Sequence, residues 1–313
     1  MKKYFHRKMN STKNNTGAVL NNNNPLISVV IPVYNRSHIL RRTLDSVFNQ
    51  TLKDFEVIVV DDCSQDSDAL QELLREYPSV IYHRHDINRH GSAARNTGVN
   101  ISSGEYVAFL DSDDTWVPEK LETCYSFIKN QDVDFVYSQV EKKGNKEIIV
   151  PLFGHEKEER YSDYLLFRNG SIQTSTLFIA KSVFNSAMFD ENLTRFQDYD
   201  FLITLEKVGC RSLFIDKPLV YMYDDDQENR ISNSPNIEPA IYWINKINRY
   251  ISRKSYYTFY VTRVCDLLSR NSHNFTALMR LADPRCFYYC NKRIWFKGFM
   301  KIIIPKAVKK LLS

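Results

Sequence analysis

Asp111-Ser112-Asp113-Asp114 places three carboxylates within four residues. Carboxylates so close together repel one another. They follow Val107-Ala108-Phe109-Leu110, a run apolar enough to be a buried strand. A cluster of this kind at a strand end suits a hard divalent cation, Mg²⁺ or Mn²⁺. Such an ion takes one or two carboxylates and completes its shell with phosphate oxygens. The plainer alternative is a solvated acidic turn leading to the helix after Pro118. The apolar strand, and two other polar strand ends, favour the cation.

A second acidic pair, Asp61-Asp62, closes the run Val57-Ile58-Val59-Val60. It can accept hydrogen bonds from a base or a ribose; equally, Asp62 or Ser64 can cap the next helix. Arg95 sits among the small residues Gly91, Ser92, Ala93 and Ala94, which let a ligand approach the backbone. It can meet a base or a phosphate, or neutralise Asp62. His83, His85 and His90 are interleaved with Arg84 and Arg89, cations that repel a metal, so these histidines are not read as ligands. Further along, Gln197-Asp198-Tyr199-Asp200 opens a helix that Gly209 closes. Asp198 is a candidate general base. The alternative is a carboxylate stabilised by the helix dipole, a role that suits Asp200 better.

The elements that must position these residues alternate. Ile27–Val33, Phe55–Val60, Val80–Tyr82 and Tyr106–Leu110 read as strands, and Phe135–Tyr137 continues the series. Helices lie between them, the first begun at Ser37 and carrying Leu40, Leu44, Val47 and Phe48 on one face. Alternation of this kind implies βαβ units and a mostly parallel sheet flanked by helices. Ligands then sit at the carboxyl ends of the strands. Tyr34-Asn35-Arg36, Asp61-Asp62 and Asp111 to Asp114 would converge there.

Four segments carry a resemblance. Pro32-Val33-Tyr34-Asn35-Arg36, Val59-Val60-Asp61-Asp62-Cys63-Ser64, Gly91-Ser92-Ala93-Ala94-Arg95-Asn96-Thr97-Gly98 and Phe109-Leu110-Asp111-Ser112-Asp113-Asp114 resemble the four successive motifs of family 2 glycosyltransferases. The resemblance runs from about Leu26 to about Asp226. It implies the GT-A fold, an α/β Rossmann-like sheet, and transfer with inversion of the anomeric centre. It further implies that Pro32, Val33, Tyr34, Asn35 and Arg36 border the nucleotide, commonly that of a UDP-sugar. Asp62 would contact the base, Arg95 would lie near the nucleotide, and Asp111, Ser112 and Asp113 would form the DxD serving ribose and metal. Asp111 and Asp113 are the implied ligands of Mn²⁺ or Mg²⁺. Asp198 takes the place of the family's catalytic base, with Gln197 standing where the family has Glu. In Tyr221 to Asp226, Asp224 lies near the place where many members have a His. Ile231-Ser232-Asn233-Ser234 resembles a short Ser-rich segment of relatives.

The implied organisation has a disordered leader at 1–24 and a GT-A domain at 25–226. The nucleotide-binding half is about 25–125 and the acceptor half about 126–226, with a helical extension at 227–313. The expected acceptor is a glycan or lipid-linked glycan of a surface polysaccharide. Two rivals are an aspartate-nucleophile phosphatase, whose strand-end DxD is similar but sits on the first strand of its domain, and a non-catalytic nucleotide-sugar binder.

Composition narrows the classes. With 313 residues, 43% of them hydrophobic, the chain can bury a sizeable core. The net charge of +5 resides at the ends. Lys2, Lys3, Arg7, Lys8 and Lys13 precede residue 25, and Lys292, Arg293, Lys297, Lys301, Lys306, Lys309 and Lys310 close the chain, with no acid in either stretch. The body between them is net acidic, which argues against a nucleic-acid partner. Scattered cysteines form no CxxC pair, and Cys286 and Cys290 read as buried thiols. The start lacks a signal peptide's apolar stretch, and no run reaches a membrane span. The expected location is cytoplasmic, peripheral on the inner face of the cell membrane. Trp295, Phe299, Ile302 and Ile303 would enter an anionic surface opposite Lys297 and Lys301; the alternative is a helix covering a core.

Overall fold

The computed structural model describes residues 24–144, 147–223, 234–271 and 273–303. The leader, save Asn24, lies outside these residues, as do Asp224 and the segment Ile231 to Asn233. Lys306, Lys309 and Lys310 lie outside them too.

Four strands form the parallel half of one sheet. They are β1 (Ile27–Val33), β2 (Phe55–Asp61), β3 (Val80–Arg84) and β4 (Tyr106–Phe109). The helices α1 (Ser37–Phe48), α2 (Ser67–Leu74) and α3 (His90–Ile101) connect them. β1 lies between β2 and β4, and β3 adds to β2, all in parallel. Val29 and Ile31 enter the core on one face and Val30 that on the other, as period-two alternation requires of a doubly covered strand. Helix α3 seats itself against β1 through Gly98, where a Cβ would come within 2.3 Å of Val30 Cγ1.

The second half is mixed. It contains β5 (Asp114–Trp116), α4 (Lys120–Ile128), β6 (Phe135–Lys143), β7 (Ile148–Val150), β8 (Phe178–Ala180), α5 (Gln197–Lys207) and β9 (Ser212–Tyr223). The strand order is β3-β2-β1-β4-β8-β6-β9-β5, with β7 on β6. β8 inserts antiparallel between β4 and β6, and this is where the regular βαβ pattern of the sequence stops.

The C-terminal helices are α6 (Glu238–Ile247), α7 (Arg253–Phe259), α8 (Cys265–Arg270), α9 (Asn274–Leu281), α10 (Pro284–Tyr289) and α11 (Lys292–Ile303), with a π-helical turn at Tyr260–Val264. α6 and α7 join the main core through Trp243, Ile244 and Phe259. The later helices enclose a small core of their own, which holds the buried Cys286 and Cys290. All six cysteines are free thiols.

Helix α11 corrects the expected outward apolar stripe. Ile302 is buried, Trp295 and Phe299 pack on the small core, and Trp295 Nε1 donates to the Leu281 carbonyl at 3.1 Å. Ile303 alone of the four expected residues is exposed. No helix among the described residues is long and apolar enough to cross a membrane.

Candidate active site

The parallel half brings the ends of β1, β2 and β4 to one edge, as the sequence pattern requires. The loop after β1 is stitched to the loop after β2. Asn35, at φ 53°, donates its N–H to Ser64 Oγ at 2.9 Å, and its Oδ1 accepts from the Gln65 N–H at 2.7 Å. Asn tolerates this left-handed conformation better than most residues. Ser37 does not cap α1. As the first helical residue it donates through N–H and Oγ to Asp66 Oδ2, at 2.9 and 2.7 Å. The Tyr34 ring is left 44% exposed, which offers a flat face at the mouth of the site.

Asp62 is buried. Its Oδ1 accepts from the Arg89 N–H at 2.8 Å and lies 2.7 Å from His85 Nδ1. His85 Nε2 is in turn 2.9 Å from Thr97 Oγ1. Neither Asp62 nor Ser64 caps α2, whose cap position is Asp66. His85 therefore has a structural task that the metal question had obscured: it fixes the Asp62 carboxylate. Its alternation with His83 along β3 was the available signal.

Arg95 does not neutralise Asp62. Its Nη2 donates to Asp111 Oδ1 at 2.6 Å and its Nη1 to Gln197 Oε1 at 3.0 Å. Its Nε is buried and has no acceptor among the described residues, an arrangement suited to an anionic ligand. Gly91 makes room for the bridge, since a Cβ there would sit 3.0 Å from Arg95 Nη1 and 3.2 Å from Gln197 Oε1.

The turn after β4 is fixed from three sides. Ser175 Oγ accepts from the Asp111 N–H at 3.1 Å and donates to Asp114 Oδ2 at 2.6 Å. Thr43 Oγ1 donates to the carbonyls of Ser112 and Asp114, and Arg42 Nη2 to that of Asp113 at 3.1 Å. Sequence reasoning missed Ser175, which approaches from a 3₁₀ turn 64 residues away. No group of three or more His, Cys, Asp or Glu side chains able to hold a metal occurs among the described residues. Asp111 and Asp113, two hard carboxylates beside an arginine that can take a phosphate, fit a cation sharing its shell with a diphosphate.

Asp198 lies in the first turn of α5. Burial pushes its carboxyl above the usual aspartate range, opposed by the Tyr199 N–H, the Arg95 charge and its own N–H, and reinforced by Asp111. The candidate base thus feels both members of the Arg95–Asp111 pair. Phe196, just before it, adopts φ 62° and ψ 23°. A left-handed aromatic residue costs about 1–3 kcal/mol. The Phe196 ring stacks on Trp243 at 5.2 Å and meets Phe259 edge-on at 5.1 Å, contacts that hold the strained turn. Asp200 is more than a dipole-facing acid. Lys246 Nζ reaches both its oxygens at 2.8 Å, and Trp243 Nε1 donates to it at 3.2 Å. Lys246 also binds Asp190 at 2.6 Å.

Comparison with known proteins fixes the class. The profile described as glycosyl transferase family 2 matches residues 28–193. The chain is 30% identical over 279 residues to the amylovoran biosynthesis glycosyltransferase AmsB of Erwinia amylovora, spanning 85% of this chain and 91% of AmsB. The chain belongs to glycosyl transferase family 2. This family 2 enzyme is also 29% identical to the UDP-Glc:alpha-D-GlcNAc-diphosphoundecaprenol beta-1,3-glucosyltransferase WfgD of Escherichia coli, over 52% of this chain and 64% of WfgD. Its fold is that of TarS of S. aureus. A crystal structure of TarS residues 1–349 with UDP superposes with TM-score 0.62 at 19% identity, covering 88% of this chain and 86% of that one. The GT-A architecture with a helical C-terminal region is thereby established, and the phosphatase reading is set aside.

Proposed function

We propose that this family 2 glycosyltransferase moves a monosaccharide from a UDP-sugar to a hydroxyl of a glycan or lipid-linked glycan, with inversion, in surface-polysaccharide assembly. The observation that carries the reading is the Arg95 bridge, which joins Asp111 on the nucleotide side to Gln197 beside Asp198. The names of AmsB and WfgD, and the UDP and UDP-GlcNAc complexes of TarS, support the polysaccharide context and the donor.

In this reading the loop Pro32 to Arg36 borders the nucleotide, with the Tyr34 ring at its mouth. Asp62, held by His85, receives the base. Asp111 serves the ribose, and Arg95 Nε turns to the diphosphate. Asp113, with Asp111, holds Mn²⁺ or Mg²⁺, which when bound offsets charge on the departing diphosphate. A sugar hydroxyl is a weak nucleophile, and Asp198 takes its proton as it attacks, worth about 10²–10⁴ in rate. A base on one side of the anomeric carbon and the leaving group on the other give direct displacement. Incubating the purified protein with a panel of UDP-sugars and acceptors, and measuring released UDP, tests the reading. Absence of UDP release across the panel overturns it.

The surface contact is revised in this proposal. Phe275 and Met279 on α9, Phe287 and Tyr288 on α10, and Phe296 on α11 are exposed, beside Lys292, Arg293 and Lys297. These residues would meet the anionic inner face of the cell membrane, in place of Trp295 and Phe299. Co-sedimentation with anionic vesicles at low salt, reversed at high salt, checks it.

A further inference from the structure

A cavity of about 510 Å³ lies between the acceptor half and α11, with Tyr199 in its wall. Its size falls in the range of small-molecule sites. One part is apolar, formed by Leu165, Leu166, Val261, Ile294 and Ile302. Gly298 brings α11 close to Val261, where a Cβ would lie 2.9 Å from Val261 Cγ1. The other part is basic. Arg263, Lys297 and Lys301 line it against a single described carboxylate, Asp266. Asp266 is already shared, pairing with Lys301 and with Arg270 Nε at 2.9 Å.

The positive charge extends towards the candidate base. Arg263 hydrogen-bonds the Tyr199 side chain, and Tyr199 directly follows Asp198. Arg195 is held below the usual arginine range by burial first and then by Arg263 and Arg270. Cations that crowd one another around one shared carboxylate favour an incoming anion. An apolar wall beside them favours an anion that carries hydrocarbon.

We propose that this cavity receives an alkyl or prenyl phosphate or diphosphate, its phosphate against Arg263, Lys297 and Lys301 and its chain along Leu165, Leu166, Val261, Ile294 and Ile302. Resting on the transferase reading above, this is where a lipid-linked acceptor is anchored. A sugar carried on the phosphate then extends past Tyr199 to Asp198.

Calorimetric titration of the full chain with farnesyl diphosphate, inorganic diphosphate and an uncharged alkyl glucoside tests the assignment. Farnesyl diphosphate is expected to bind at least tenfold more tightly than either other probe. Arg263→Gln with Lys297→Gln should weaken it at least tenfold. Leu166→Trp, which fills the apolar side, should do the same. UDP affinity and the thermal midpoint should stay unchanged in both variants. Equal binding of inorganic diphosphate makes this a free-phosphate site and overturns the lipid assignment. Absence of farnesyl diphosphate binding in a protein that binds UDP overturns the inference alone. Failure to bind UDP, with farnesyl diphosphate still bound, sinks the donor reading and leaves the cavity assigned.

Discussion

Arg95 Nη1 donates to Gln197 Oε1 at 3.0 Å across 102 residues of chain. The acceptor is a neutral amide, so Asp111 is the one carboxylate that Arg95 contacts in a printed ion pair. Arg95 therefore retains charge to offer a phosphate and to steady Asp198.

Gln197→Glu changes that balance without changing shape. A second carboxylate on Arg95, next to Asp198, disfavours the ionised base. The acid limb of the kcat profile should move to higher pH, with kcat at pH 6 falling several-fold relative to pH 8. A profile that superposes on that of the wild type refutes the coupling.

Asp198→Asn should lower kcat by about 10²–10⁴, with UDP affinity within about twofold of wild type. Stability should move the other way. A carboxyl raised in the folded state contributes stability below its unfolded value and loses it as pH rises through the folded value. At neutral pH the ionised, buried Asp198 is thus a burden that Asn relieves. Urea midpoints should show the variant more stable at pH 7, with the difference vanishing at acid pH.

Asp113→Ala separates the cation from the rest of the nucleotide site. UDP should bind this variant about tenfold more weakly when Mn²⁺ is present and about equally well in EDTA. Wild-type turnover should cease in EDTA and return with Mn²⁺. Full turnover in EDTA removes the metal role.

Gly98→Ala tests how α3 is seated. A methyl 2.3 Å from Val30 Cγ1 forces apart the strand and the helix that carries Arg95. Overpacking of this kind costs about 1–3 kcal/mol, to be read from urea unfolding. Activity should fall as well, because Arg95 lies one helical turn away.

Much of the donor side was legible in the sequence because its physics is local. An apolar β-branched run ending in acids specifies a buried strand and a polar tip, and parallel strands send those tips to one edge. The partnerships were not legible. Nothing near Arg95 distinguishes Asp62 from Asp111 as its partner; that depends on how far α3 descends onto β1, which Gly98 and Val30 set. The left-handed turn at Phe196 has no local signature either, since a bulky aromatic residue disfavours it. Trp243 and Phe259, far along the chain, impose it. The face of α11 was misread for a related reason. An amphipathic pattern specifies a stripe but not its neighbour, and here Leu281 and Val261 supply one.

The stretch shared with the family profile ends at residue 193, just short of Phe196, while Lys246 ties Asp190 to Asp200 across that border. The transferable portion of the fold and the portion bearing the candidate base are thus joined by a seam. Exchange of acceptor preference between relatives, by recombination or by design, must respect it. A graft cut between 193 and 196 severs the base from the helices that shape its turn. One that carries Asp190 through Phe259 as a single cassette moves the strained turn, its aromatic clamp and its lysine together.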